Sequence, residues 1–490
     1  MTLIDKDLQS IQEVRLLIRK AKKAQKILAG YSQTQIDTIC QAVSEATYGQ
    51  REKLAKMAHE ETGFGIWQDK VIKNTFASQS VYEYIKDMKT VGVIEEDLEK
   101  KITEIAVPMG VIAGLIPSTN PTSTVIYKAL ISLKAGNSIV FSPHPNALKA
   151  IIATVEIIKA ALEKVGAPTD CVSVMTLPTM QGTQELMTNR DTNLILATGG
   201  NAMVRAAYSS GTPAIGVGPG NGPAYIERSA NVKLAVQRIM DSKTFDNGTI
   251  CASEQSIIVE EVNKQAVHDE LIKQGAYFLT SAESEKLSKF ILRPNGTMNP
   301  QIVGRSVQHI AEIAGLNLPQ GCRLIVAEET NVGHQYPYSR EKLAPIIAFY
   351  TVENWQAACE LSVKILEGEG VGHTMTIHTE NREVIRAFGL QKPVSRLLVN
   401  TPAALGGIGG TTDLVPALTL GCGTVGGSST SDNIGPQHLF NIRRVAYGTR
   451  ELSEIREAAN QCATATNSQF SLSDEALIET LVTQILAKLQ

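Results

Sequence analysis

Aromatic residues are scarce in this 490-residue chain, at 5% with two tryptophans, and no excess of positive charge compensates, since 46 Lys and Arg face 49 Asp and Glu. Nucleic-acid grooves need a basic track with stacking platforms. Scattered basic residues on an aromatic-poor background offer neither, so no nucleic-acid partner is expected. Long apolar runs are also missing. No uninterrupted apolar stretch reaches the ~18–20 residues that span a bilayer. The opening Met1-Thr2-Leu3-Ile4-Asp5-Lys6-Asp7 lacks the basic start, apolar block and small-residue cleavage site of a secretory signal. The expectation is a soluble, cytoplasmic protein without membrane contact. Cysteine is sparse and irregular: Cys40, Cys171, Cys251, Cys322, Cys359, Cys422 and Cys462 make an odd set with no C-x-x-C pair. That excludes a disulfide framework and a structural zinc site. No metal is expected, and at most one or two thiols should be chemically special.

What is present is the texture of a globular enzyme. A hydrophobic share of 43% with 19% charged residues suits a buried core, and the length suggests two or three domains at roughly 100–200 residues each. Residues 7–60 are predicted helical, with Leu8, Ile11, Val14, Leu17 and Ile18 at the spacing of one helical face. From about residue 104, short β-branched runs at 111–116, 138–141, 172–175 and 194–196 alternate with helical patterns at 122–134, 146–165 and 200–209. This alternation predicts a parallel sheet covered by helices on both faces. Ligands of such sheets bind beyond the carboxyl ends of the strands, which directs attention to Pro117-Ser118-Thr119-Asn120-Pro121, Ser142-Pro143-His144-Pro145 and Thr198-Gly199-Gly200. A second alternation is expected from residue 237 to about 435, with runs at 256–259 and 323–327. The fold class is therefore α/β, with a dinucleotide-binding domain over 1–236 and a second α/β domain over 237–435. Residues 436–458 would return to the first domain or to an oligomer interface.

Chemistry is concentrated in a few segments. In Phe245-Asp246-Asn247-Gly248-Thr249-Ile250-Cys251-Ala252-Ser253, a cysteine follows a glycine-containing turn, where a thiolate can meet a carbonyl carbon. Taken alone, a free cysteine more often packs as a small hydrophobe. Likewise, Asn120 before Pro121 is first of all a turn residue. Thr198-Gly199-Gly200 would open a helix after a strand, presenting N–H groups and the positive end of the helix dipole to an anion such as a pyrophosphate.

Together these segments resemble the aldehyde dehydrogenase superfamily, and specifically its coenzyme A-acylating branch, over roughly residues 5–450. Residues 116–124, Phe141-Ser142-Pro143-His144-Pro145, Ala197-Thr198-Gly199-Gly200, residues 206–211 and 216–221, the Cys251 segment, Glu341-Lys342-Leu343-Ala344-Pro345, Gly372-His373-Thr374 and residues 420–427 carry the resemblance, in the same order. It implies that Cys251 is the nucleophile, forming a thioester with the aldehyde carbon. Asn120 and the Cys251 backbone N–H would hold the alkoxide, a contribution typically worth ~2.7–4 kcal/mol. The resemblance further implies that Pro117, Ser118, Ser142, Pro143, His144, Thr198 and Gly199 line the dinucleotide site and that Glu341 contacts the nicotinamide ribose. His144 stands where hydrolytic members carry a lysine near the adenosine ribose, which leaves NAD versus NADP open; the resemblance to the acylating branch favours NAD.

A departure from the hydrolytic pattern is equally informative. Hydrolytic relatives carry a Glu-Leu-Gly-Gly segment whose glutamate activates water; this chain has Ile215-Gly216-Val217-Gly218-Pro219-Gly220. Without that base, the acyl group would await another thiol, and coenzyme A supplies it in the branch resembled. His373 is a candidate acid or base, and Cys422 between two glycines is expected to be packing. The expected activity is oxidation of a short aldehyde with NAD and coenzyme A; a hydrolytic dehydrogenase and a non-catalytic scaffold are the alternatives. A homo-oligomer, dimer or tetramer, is expected.

Residues 459–470, rich in Ser, Thr, Ala, Asn and Gln, are predicted to be a flexible linker. Beyond it, residues 471–490 should form an amphipathic helix capped by Ser473, with Asp474 and Glu475 in its first turn and Leu477, Ile478, Leu481, Val482, Ile485, Leu486 and Leu489 on one stripe. This resembles the encapsulation peptides of enzymes packaged in bacterial microcompartments, which would make a shell protein a partner. Packing on the enzyme itself is the alternative.

Overall fold

A computed structural model describes residues 4–469 and 472–488. The chain opens with helices at Lys6–Leu28, Gln33–Gly49 and Arg51–Thr62, as the helical spacing predicts, followed by Trp67–Thr75. The strands, in chain order, are β1 (Gly92–Asp97), β2 (Ile102–Pro108), β3 (Val111–Ile116), β4 (Ser138–Pro143), β5 (Val172–Val174), β6 (Leu194–Thr198), β7 (Ala214–Val217), β8 (Pro223–Ile226), β9 (Ser256–Glu260), β10 (Ala276–Phe278), β11 (Leu324–Glu328), β12 (Ile346–Val352), β13 (Gly372–His378), β14 (Val394–Val399) and β15 (Phe440–Ala446).

The first parallel sheet runs in the order β5-β4-β3-β6-β7. Every residue of β3 and β4 is buried, because helices cover both faces, and that is why these strands read as continuous apolar runs rather than alternating ones. Val111, Ala113 and Leu115 pack with Val14, Ile18 and Ala21 of the first helix on one face. On the other, Ile112 and Ile116 join Val125, Ile126 and Leu130 of the Pro121–Lys134 helix. The strand order reverses between β3 and β6, and at such a switch point a crevice opens beyond the carboxyl ends of the strands. Lys128, fully buried, donates to the carbonyl oxygens of Leu115 at 2.8 Å and Leu196 at 2.7 Å, tying the ends of these two strands together.

The second sheet is also parallel, with seven strands in the order β10-β11-β12-β9-β8-β13-β14. Its first strand is Pro223–Ile226, so the change from one sheet to the other falls in residues 218–222 rather than at 236. The sequence pattern missed this because Pro223-Ala224-Tyr225-Ile226 is short and abuts a glycine-rich stretch.

Val93–Ile105 and the chain from Ile442 onward form a second compact unit. It holds most of a three-stranded sheet of order β1-β2-β15, which the sequence analysis does not anticipate. It also contains the helices Leu452–Gln469 and Leu472–Ala487. The first of these runs through the predicted linker: Ser, Thr, Asn and Gln cost only a few tenths of a kcal/mol each against alanine, up to about 0.7, and interspersed alanines let the helix propagate. The second begins one residue before Ser473, so that residue lies inside the helix. The side chains of residues 472–475 and the position of Leu489 lie outside the described set. Leu477, Ile478, Leu481, Val482, Ile485 and Leu486 are all exposed. No helix among the described residues is long and apolar enough to cross a membrane.

Candidate active site

The loops after β3, β4 and β6 and the segment leading into β9 enclose a cavity of about 860 Å³, large enough for a cofactor or a drug-sized ligand. Pro117, Ser118, Asn120, Ser142, Pro143, His144, Thr198, Gly199, Cys251 and Glu341 all line it, although they span more than 220 positions of sequence. A second cavity of about 680 Å³, lined by Trp67, Asp69 and Asn247 among others, contains neither Cys251 nor Asn120.

At the strand ends, the cavity offers what an anionic dinucleotide requires. The Asn201–Tyr208 helix begins after Gly200, and Ala202 and Met203 of its first turn line the cavity. The Met203 N–H turns back to the Gly200 carbonyl at 3.0 Å, and the N–H groups that open a helix ahead of it are the ones that suit a phosphate. Ser142 is held by Thr183 at 2.8 Å, hydroxyl to hydroxyl. Burial pushes the His144 imidazole below its ordinary pKa, and its Nδ1 accepts from the Asn146 N–H at 3.1 Å, so it enters the site neutral.

Cys251 is partly exposed to the cavity. Burial, followed by the nearby Glu341, pushes its thiol up to about 12, with Arg396 and its own backbone N–H pulling the other way. The resting side chain is therefore a neutral thiol, which would have to lose a proton to act as a nucleophile. Across from it, the loop after β7 is packed so closely that a Cβ on Gly220 would lie 1.8 Å from the Cys251 carbonyl oxygen. Val217, Gly218 and Pro219 line the cavity and contribute no ionisable group.

A carboxylate nevertheless reaches this loop from elsewhere in the chain. Glu341 Oε1 accepts from the Gly220 N–H at 3.0 Å. Its own N–H donates to Glu369 Oε2 at 2.9 Å, and Glu369 Oε1 accepts from Arg340 at 3.2 Å. Burial and the neighbouring Glu369 push the Glu341 carboxyl up to about 8. At neutral pH it is mostly protonated, and therefore a poor base. The resemblance implied only a ribose contact for Glu341 and nothing for Glu369, because no local motif shows that a loop residue and a helix cap far apart in the chain meet beside one glycine.

Asn120 Nδ2 donates to the Thr249 carbonyl at 2.9 Å, two residues before Cys251, while its Oδ1 accepts from Lys73 at 2.6 Å. Lys73 also lines the cavity and was likewise overlooked. His373 is not brought into the cavity. It is fully buried behind Gly220, with Nδ1 against Thr374 Oγ1 at 2.9 Å and Nε2 unpartnered, and burial with Arg396 nearby pushes it down to about 3. An imidazole held neutral in this way has no proton to give, and its unpartnered Nε2 is the atom that could take one. Cys422 is buried, its thiol directed at the Leu420 carbonyl at 3.6 Å, and is likewise absent from the cavity lining.

A doubly covered parallel sheet with its crevice at the switch point, and a thiol presented to that crevice from the segment leading into the second sheet, make an arrangement suited to a dinucleotide beside a thiol. Residues 6–402 match the Aldehyde dehydrogenase family, and the chain belongs to it. It is 44% identical over 442 residues to the bifunctional aldehyde-alcohol dehydrogenase of Escherichia coli (strain K12), covering 89% of this chain and 50% of that protein. The chain thus spans about half the length of such curated relatives. Among solved structures, a probable aldehyde dehydrogenase from Listeria monocytogenes EGD-e is similar at 72% identity and a TM-score of 0.91, covering 92% of this chain and 100% of that one. An acetylating aldehyde dehydrogenase from Geobacillus thermoglucosidasius matches at 54% identity and a TM-score of 0.91, covering 92% and 99%. A propionaldehyde dehydrogenase from the Clostridium phytofermentans fucose utilisation bacterial microcompartment matches at 26% identity and a TM-score of 0.81, covering 90% and 98%.

Proposed function

We propose that the chain oxidises a short aldehyde with NAD and passes the acyl group from Cys251 to coenzyme A, releasing acyl-coenzyme A. The observation that carries this reading is the loop Val217–Gly220, which faces Cys251 without a base of its own. The similarity to the acetylating aldehyde dehydrogenase of Geobacillus thermoglucosidasius supports it. In this scheme Cys251 Sγ bonds to the aldehyde carbon as its proton departs, and the resulting alkoxide is held by Asn120 Nδ2 and the Cys251 N–H. The loops after β3 and β6 would hold the nicotinamide dinucleotide, which would supply the hydride acceptor. What remains is a thioester on Cys251, which the coenzyme A thiol attacks, returning the cysteine thiol. Neutral His144 favours NAD, since it offers no fixed charge to a 2′-phosphate.

Glu341 favours a second reading, hydrolysis, because a carboxyl does stand beside Gly220. The two are separated by following NADH from an aldehyde panel with and without coenzyme A. Acylation requires coenzyme A for turnover, leaving a single burst in its absence; steady turnover without it would establish hydrolysis. For assembly, exposed Val93, Leu98, Ile442, Val445 and Tyr447 support a homo-oligomer. The exposed apolar residues of the Leu472–Ala487 helix and the likeness to a microcompartment enzyme support cytoplasmic packaging against a shell protein.

A further inference from the structure

The turn before Cys251 is built on a buried ion cluster that the reaction scheme does not use. Asp246 and Asn247 adopt left-handed backbone angles, with φ of 48° and 53°, a conformation non-glycine residues seldom take. Asp246 is fully buried. Its Oδ1 accepts from the Ile66 N–H at 2.7 Å, and its Oδ2 accepts from Lys70 at 2.9 Å, from Lys73 at 2.5 Å and from the Thr249 hydroxyl at 2.8 Å. Gly65, at φ 71°, must be glycine for this enclosure: a Cβ there would fall 1.8 Å from Oδ1.

Lys73 extends the cluster toward the chemistry. Besides Asp246, its Nζ reaches Asn120 Oδ1 at 2.6 Å and Thr249 Oγ1 at 3.0 Å. All three oxygens can accept; an ammonium has three N–H groups to give, a neutral amine two. Burial draws the Lys73 ammonium down to about 8 and Asp246 opposes that, so the three acceptors mark it as charged at neutral pH. An asparagine amide has nearly the same shape in its two flipped orientations, so a neighbour must decide which end faces the nucleophile. Lysine can only donate. It therefore takes Oδ1, and Nδ2 is turned to the Thr249 carbonyl. The other Nδ2 hydrogen has only a 3.4 Å contact to Thr119 Oγ1, which an alkoxide would readily displace.

We propose that Lys73, anchored by Asp246, is a positioning residue that fixes the Asn120 amide with its N–H groups toward the nucleophile and polarises them for the alkoxide. A hydrogen bond from a cation to one end of an amide strengthens donation from the other. The proposal rests on the reading of Asn120 as the alkoxide donor. A double-mutant cycle of Lys73→Met, Asn120→Ala and the pair tests both, with kcat and KM for the aldehyde measured in each, and nucleotide binding and Tm as checks of folding. Asn120→Ala should lower kcat by roughly 10²–10³-fold, the usual cost of one such donor. Lys73→Met should lower kcat roughly tenfold with little change in KM, and almost not at all once Asn120 is gone, as expected for groups in one hydrogen-bond network. Equal losses in both backgrounds would overturn the positioning role alone. An unchanged kcat in Asn120→Ala would overturn the alkoxide reading and the proposal with it. Should Lys73→Met not fold, Lys73→Gln keeps a polar chain in place and carries the same expectation of a coupled loss.

Discussion

At the scale of single residues, the site contrasts a neutral nucleophile with a carboxyl that titrates near working pH. On the proposed reading Cys251 acts in chemistry rather than in nucleotide binding, so Cys251→Ala is expected to abolish NADH formation and leave nucleotide affinity, read by fluorescence titration, near that of the parent. Glu341 is mostly protonated below about pH 8 and mostly a carboxylate above it, and only in the second form would it accept a proton from the thiol. The same negative charge raises the Cys251 pKa, so the gain with rising pH comes from proton acceptance and not from a more stable thiolate. The burst rate of NADH formation should therefore climb through pH 8, and Glu341→Gln should flatten that rise. A rise that survives the substitution would assign the titration to another group. Lys73 and Asp246 had no visible role in the sequence because isolated charged residues are normally solvated, and only folding buries these two together beside Asn120.

Among the elements, the loop between the two sheets determines how close anything can come to Cys251. Gly220→Ala places a methyl group where the Cys251 carbonyl oxygen lies, 1.8 Å away. Such overpacking typically costs 1–3 kcal/mol, here with displacement of the nucleophile as well. The expected result is a lowered Tm together with a loss of activity of roughly tenfold or more, since small misplacements of reacting groups cost up to about a hundredfold. An active, unchanged Gly220→Ala enzyme would show that the loop moves freely. Four strands of the first sheet, β3 to β6, were legible because burial on both faces demands unbroken apolar runs. The β7 and β8 strands were not, because each is four residues long and borders a glycine-rich stretch.

For the whole molecule, the question is what the carboxyl-terminal residues contribute. The helix Leu452–Gln469 runs through the region where a linker was expected, so a clean truncation must remove residues 451–490 together. Residues 6–402 carry the family match, and the truncated protein is expected to retain its melting transition and turnover of NADH. Loss of either would mean that this segment completes the enzyme. Residues 471–490 fused to a fluorescent protein should concentrate in microcompartment shells, and Leu481→Glu with Ile485→Glu should disperse it.

The amino-acid sequence alone determined the α/β class, the alternation of strands with helices, the thiol and the loops that serve it, because periodicity and glycine-bearing turns are local properties. Tertiary structure decided the rest. It set the crossing point between the sheets, withdrew His373 behind Gly220, brought Glu341 to that glycine's N–H, and joined Lys73 and Asp246 to Asn120 across more than a hundred residues of chain. Desolvation and hydrogen-bond partnership depend on what the fold places alongside a side chain, and no local pattern in the sequence records them.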